Sequence, residues 1–168
     1  MHRHDFSPGN PDAAGVLSWA HIGDLHMTRA GAQNDLDLES IVNKINTLFG
    51  RSISFVFLPG DVAEDGSRSA YAVVRRSLDR LEIPWCAILG DHDVHEKSFA
   101  NFLEAMSIAA LPGATNYAFT AGPARFLAMN AFDVPDPASF TVAEDQLQWV
   151  EHGLLGTQLG PNKNGRKW

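Results

Sequence analysis

Three short apolar runs, at 16–22, 53–58 and 84–89, are separated by stretches whose apolar residues recur every three or four positions. Runs of that length, rich in β-branched and aromatic residues, predict strands covered on both faces. Between the first two, Leu38, Ile41, Val42, Ile45, Leu48 and Phe49 share one helical face, and Gly50 predicts where that helix stops. Between the second and third, Ser67 is placed to cap a helix whose inward stripe is Tyr71, Val74, Leu78 and Leu81. Strand, helix, strand, helix, strand predicts a βαβαβ half with parallel pairing and right-handed crossovers.

Beyond Leu89 the pattern changes. Phe99, Phe102, Leu103 and Met106 predict a helix ending before Pro112. Residues 116–120 and 125–132 read as a hairpin turned through Gly122-Pro123, so antiparallel pairing enters. Asp133 to Pro137 reads as a loop. Thr141 and Glu144 make a capping box for a last helix carrying Leu147, Val150 and Leu154. The organisation expected is a flexible N-terminus at 1–15, one α/β domain at 16–155 and a frayed tail at 156–168, with no repeat or linker.

Composition narrows the function classes. At 168 residues and 45% apolar, the chain has the material for one cored domain. Its net charge of −7 argues against a nucleic-acid partner, which would call for basic surface. No stretch is long or apolar enough to span a bilayer, and residues 1–12 lack the apolar core of a signal peptide. The single cysteine, Cys86, excludes an intrachain disulfide; its apolar neighbours predict a buried, inert thiol and a reducing, cytoplasmic compartment.

Each predicted parallel strand is followed by an acidic motif: Gly23-Asp24-Leu25-His26, Gly60-Asp61-Val62-Ala63 and Gly90-Asp91-His92-Asp93. The carboxyl ends of strands are where open α/β sheets place their sites. Three carboxylates gathered there repel one another unless a cation lies between them. Asp24 and His26, one residue apart, can offer an oxygen and a nitrogen to one ion, a mixture that suits manganese, iron, zinc, cobalt or nickel better than calcium. Asp61 can bridge two ions and Asp91 can serve the second. Two such ions clamp the attacking and departing oxygens of a phosphoryl displacement and acidify a shared water into a hydroxide nucleophile. His92 is then placed to stabilise phosphoryl oxygens or protonate the leaving group, with Asp93 holding its other ring nitrogen.

Asp-x-His, Gly-Asp and Gly-Asn-His-Asp/Glu in that order resemble the signature of calcineurin-like metallophosphoesterases. The run Gly60 to Gly66, then Ile83-Pro84-Trp85 and Gly90-Asp91-His92-Asp93, with Asp145-Gln146-Leu147-Gln148-Trp149 later, is most similar to the bacterial cyclic-nucleotide phosphodiesterase branch. The resemblance covers about residues 16–152 and implies an α-β-β-α sandwich with a dinuclear metal site that hydrolyses phosphodiesters or phosphomonoesters. Two departures stand out. Asp91 occupies the place of the family's asparagine, and after His95 only His152 remains, whereas the family supplies further histidine ligands from later segments. The expectation is therefore a sandwich truncated at its C-terminal side, whose uncovered surface makes a homo-oligomer, a dimer first, the expected partner besides a small phosphate ester.

Simpler readings stand beside these. Strand-end carboxylates can be mere caps and loop residues. His21 reads as a core histidine. Arg29, His95, His2 and His4 read as solvated, Glu64 and Asp65 as cap or surface carboxylates, and Phe55, Phe57, Trp85 and Phe126 as core. A non-catalytic, metal-binding remnant is the first rival to the hydrolase. A phospho-accepting signalling domain is the second, and it leaves His26 and His92 unexplained.

Overall fold

The alternation of strand faces accounts for the layers. A computed structural model of the chain describes residues 5–6, 16–50, 52–106, 115–132 and 134–154. Apart from the two-residue strand β1 (Asp5–Phe6), the expected flexible N-terminus lies outside the described residues, as does the expected tail at 156–168. So do Pro112 and Asp133.

Strands β2 (Ala20–His21), β3 (Val56–Leu58) and β4 (Trp85–Ala87) form one parallel sheet in the order β2-β3-β4. The predicted βαβαβ half is present: α1 (Gln33–Lys44) joins β2 to β3, and α2 (Arg68–Leu78) joins β3 to β4. On one face of the sheet, Val56, Leu58 and Ala87 meet Leu38 and Val42 of α1, Tyr71, Val74 and Leu78 of α2, and Phe102 and Met106 of α3 (Ala100–Met106). On the other face, Phe55 and Cys86 pack with Tyr117, Phe119 and Ala121 of β5 (Tyr117–Ala121) and Ala128 of β6 (Ala124–Ala128). Period-two alternation thus feeds two cores from one sheet, as expected of a strand with both faces covered. The second sheet runs β1-β5-β6, parallel at β1 and antiparallel across the hairpin. Gly122, at φ +51°, takes the first position of the two-residue turn before Pro123.

Ser67 caps α2 as expected, its hydroxyl accepting from the Ala70 N–H at 3.3 Å. Helix α1 carries an unpredicted tie. Asp35, almost fully buried, accepts two hydrogen bonds from Arg76 of α2 at 2.8 and 2.9 Å and one from the Gly31 N–H at 2.8 Å. That pairing satisfies a carboxylate that would otherwise be costly to bury.

Four expectations need correction. Leu48 and Phe49 do not continue the buried stripe but stand 68% and 49% exposed, because α1 widens into a π-helical turn over Ile45–Phe49 and the side-chain register rotates. The first apolar run is only partly covered: Val16 and Trp19 are exposed beside the edge strand β2, although hydrogen bonds from Ser54 N–H to Ser18 and from Ile22 N–H to Phe57 extend the pairing. His21 is exposed rather than in the core, its ring edge-on to Phe57 at 5.4 Å. The last helix, α4 (Glu144–Leu154), begins at Glu144 and not beyond a Thr141 cap, since the Thr141 N–H bonds Ala131 in a bridge beside Phe132 and Phe140. Its buried side chains are Gln146 and Trp149, while Leu147 is exposed and the Leu154 side chain lies outside the described residues. The Gln146 amide both donates to and accepts from the Asn130 backbone at 3.0 Å, which ties α4 to the segment just after β6.

Candidate metal centre

The three motifs emerge from the ends of β2, β3 and β4, side by side because those strands are neighbours in the sheet. Two short backbone hydrogen bonds, His26 N–H to Asp61 at 2.9 Å and Met27 N–H to Val62 at 3.1 Å, continue the parallel pairing past β2 and β3 into the loops. The Asn34 amide donates to the carbonyls of Leu25 and His26 at 3.1 and 2.6 Å and anchors the first loop to α1.

Backbone strain is concentrated here. Asp24, His26 and Asp61 sit at φ +53°, +43° and +50°, a region non-glycine residues rarely adopt. Asp and His tolerate it better than branched residues do, and the surrounding hydrogen bonds hold them there. Between the second and third loops the backbones nearly touch. A Cβ on Gly60, which is at φ +121°, would lie 2.9 Å from Gly90 N and Cα, and one on Gly90 would collide with the Asp61 carboxylate. Glycine at both positions is what lets the loops close on each other.

Ligand atoms of Asp24, His26 and Asp61 lie within 4.8 Å of one another. Asp24 is exposed and the other two are partly buried, so the group opens to solvent. Two carboxylates and an imidazole converging at that distance fit a divalent transition ion, whose charge would relieve their mutual repulsion. A second group, His26, Glu64 and His92, converges just as closely and shares His26 with the first. Asp91 belongs to neither group among the described residues; it is half-buried at the start of a short 3-10 turn, His92–Val94.

His92 is brought to the site. Its backbone N–H donates to Asp61 Oδ1 at 3.2 Å, and its ring meets that of His26 at a centroid distance of 4.4 Å. The Glu64 carbonyl, 2.8 Å from His92 Nδ1, is the main influence raising the imidazole above its ordinary range, and the charges of Glu64, Asp61 and Asp91 add to it.

Asp93 corrects the expected role. It does not hold the His92 ring, whose Nδ1 faces the Glu64 carbonyl instead. The buried Asp93 carboxylate accepts from Val62 N–H at 3.2 Å, Ala63 N–H at 3.0 Å, Gly90 N–H at 2.9 Å and the Tyr71 hydroxyl at 2.9 Å. Burial pushes this carboxyl above its usual range, while those four bonds pull it the other way. Asp93 therefore pins the second and third loops together from beneath and is not itself presented to a substrate.

Glu64 is the residue that sequence reasoning misplaced. Its carboxylate lies 2.9 Å from His26 Nδ1. Its position three residues after Asp61 carries no signal that separates it from a helix-flanking surface acid. Asp65 does flank the helix start, accepting from the Ser67 N–H at 2.9 Å; the Ser67 side chain first, and that N–H after it, lower its carboxyl. His95 is exposed with its ring 4.6 Å from that of His92.

The comparisons with known proteins agree with the fold. Residues 17–166 match the calcineurin-like phosphoesterase family. A probable cyclic nucleotide phosphodiesterase of Synechococcus is 28% identical over 142 residues, covering 83% of this chain and 53% of its own length. Another, of Fibrobacter succinogenes, is 27% identical over 141 residues, covering 82% of this chain and 49% of its own. The chain thus spans about half the length of the curated relatives it matches. A dimetal phosphatase from Danio rerio shares the fold with a TM-score of 0.62 at 17% identity, over 85% of this chain and 66% of that one. No helix among the described residues is long and apolar enough to cross a membrane. By its motifs, its sheet and a match across nearly all its length, the chain belongs to the calcineurin-like phosphoesterase family.

Proposed function

We propose that this chain hydrolyses phosphate esters with divalent transition metals, phosphodiesters in preference to monoesters. The observation that carries the reading is the convergence of Asp24, His26 and Asp61 within 4.8 Å at the ends of adjacent parallel strands. Those three residues would hold one cation, and Asp61 and Asp91 are assigned to a second. Bound cations of this kind supply Lewis acidity to a phosphoryl oxygen and acidify a water. His92 faces the substrate with Nε2, since Nδ1 is engaged by Glu64, which places that nitrogen to serve a phosphoryl or leaving-group oxygen. The preference for diesters rests on the relatives described as probable cyclic nucleotide phosphodiesterases.

The test is hydrolysis of bis(p-nitrophenyl) phosphate against p-nitrophenyl phosphate with added Mn²⁺. Faster diester turnover, abolished in Asp61→Ala, supports the proposal. Tight Mn²⁺ binding without turnover on either ester favours the metal-binding remnant, a reading consistent with Asp91 standing apart from both ligand groups. The dimer belongs to the same proposal, because Leu48, Phe49 and Trp19 leave apolar surface exposed. Light scattering that finds only monomer at micromolar concentration removes it.

A further inference from the structure

Glu64 touches both imidazoles of the site in different ways. Its carboxylate Oε2 is 2.9 Å from His26 Nδ1, and its main-chain carbonyl is 2.8 Å from His92 Nδ1. The same Oε2 stands 3.7 Å from His92 Nδ1, beyond hydrogen-bond distance. Neither a carboxylate nor a carbonyl oxygen can donate, so each Nδ1 facing Glu64 must carry the proton. The tautomer of both rings then follows from one residue.

The position of Glu64 is itself secured. Its N–H donates to the Met27 carbonyl at 2.9 Å, which places the residue opposite the first motif, where Met27 and Ala63 pair as a parallel bridge. On the other side of the His26 ring, Nε2 lies 3.9 Å from Asp61 Oδ2, turned towards the carboxylates. We infer that Glu64 is a positioning residue that holds His26 as the Nδ1–H tautomer and so reserves Nε2 for a cation shared with Asp24 and Asp61. The inference rests on the proposed role of His26 as a ligand. A histidine whose second nitrogen donates to a carboxylate is fixed in orientation and made a stronger base towards an ion.

Two measurements test it. Side-chain ¹⁵N–¹H spectra of the metal-free protein near pH 9, where imidazoles are neutral, should show His26 protonated at Nδ1 in the wild type and in Glu64→Gln, whose amide oxygen still accepts. Glu64→Ala should shift His26 towards the Nε2–H form. Calorimetric titration with Mn²⁺ should show affinity falling about 10–100-fold in Glu64→Ala, and by clearly less in Glu64→Gln. An Nε2–H tautomer of His26 in the wild type overturns the inference. So does Glu64→Gln losing affinity as completely as Glu64→Ala, which would make Glu64 a ligand in its own right. Should the wild type take the Nδ1–H form yet bind no Mn²⁺, the proposed function fails while the tautomer assignment to Glu64 holds.

Discussion

The Tyr71 hydroxyl donates to the Asp93 carboxylate across 2.9 Å, beneath the loops that carry the site. Tyr71 belongs to α2, so this one bond ties the helical layer to the second and third motifs at once. Burial, with the neighbouring Asp93 charge adding to it, pushes the tyrosine hydroxyl well above its ordinary range, which favours its protonated, donating form.

Tyr71→Phe should therefore cost about 1–3 kcal/mol in urea unfolding, the range for a hydrogen bond to a buried charged partner. Asp93→Asn should cost more, because its amide would set an NH₂ group among backbone donors that need an acceptor. If both variants unfold at the wild-type urea concentration, Asp93 does not pin the loops.

Asp61→Asn separates metal binding from folding. Asparagine accepts the left-handed backbone at φ +50° and can still receive the His92 N–H. Metal-free, the variant should melt at or above the wild-type temperature, since one repelling carboxylate is gone. Adding Mn²⁺ at about a hundred times its dissociation constant should raise the wild-type melting temperature by roughly 5–10 °C. The variant should show little of that shift in the same thermal scan.

Gly60→Ala tests the close approach of the loops. Its Cβ would press on the Gly90 backbone at 2.9 Å, and its φ of +121° disfavours any side chain. We expect a loss of about 1–3 kcal/mol from strain, together with weaker Mn²⁺ binding, because Asp61 moves with the loop. Alanine at Gly31, where a Cβ meets nothing within 4 Å, provides the comparison: it should keep metal binding while paying only for its positive φ.

Cys86 reports on the core between the two sheets. Burial pushes its thiol up to about 12. The unfolded thiol titrates near about 8.5, so the folded state holds this proton more tightly. The stability linked to it is complete below about pH 8.5 and is lost as pH rises towards the folded value. At pH 8 the native protein should react with a disulfide reagent only as fast as it unfolds, and fully once denaturant is added. Rapid labelling of the native chain would show that the layer is open.

The parallel half of the fold was legible because a strand covered on both faces must be apolar throughout, and a helix lying on it must repeat at helical spacing. The stripe Tyr71, Val74, Leu78 is buried as expected, and residues 53–58 and 84–89 follow those constraints in the main, although Ile53, Phe57, Trp85 and Ile88 are only half-buried, Pro84 is exposed and the buried Ser54 is polar. The placement of Asp24, His26 and Asp61 was legible for the same reason, since neighbouring strand ends bring their following residues together. Helix phase was less secure. A single π-helical turn rotated Leu48 and Phe49 outwards, and hydrogen bonds of Gln146 and Thr141 set α4 where no periodicity marks them.

Sequence alone determined the kind of donors at the site and their order along the chain, because ligand chemistry is a property of residue type. Which acid faces which imidazole was decided only in three dimensions. Asp93 is adjacent to His92 in the chain, yet it turns inward to four donors, and Glu64 reaches His26 from 38 positions away. Adjacency fixes how near two residues are, whereas the backbone conformation fixes where each side chain points. That direction depends on loops from separate strands being locked against one another.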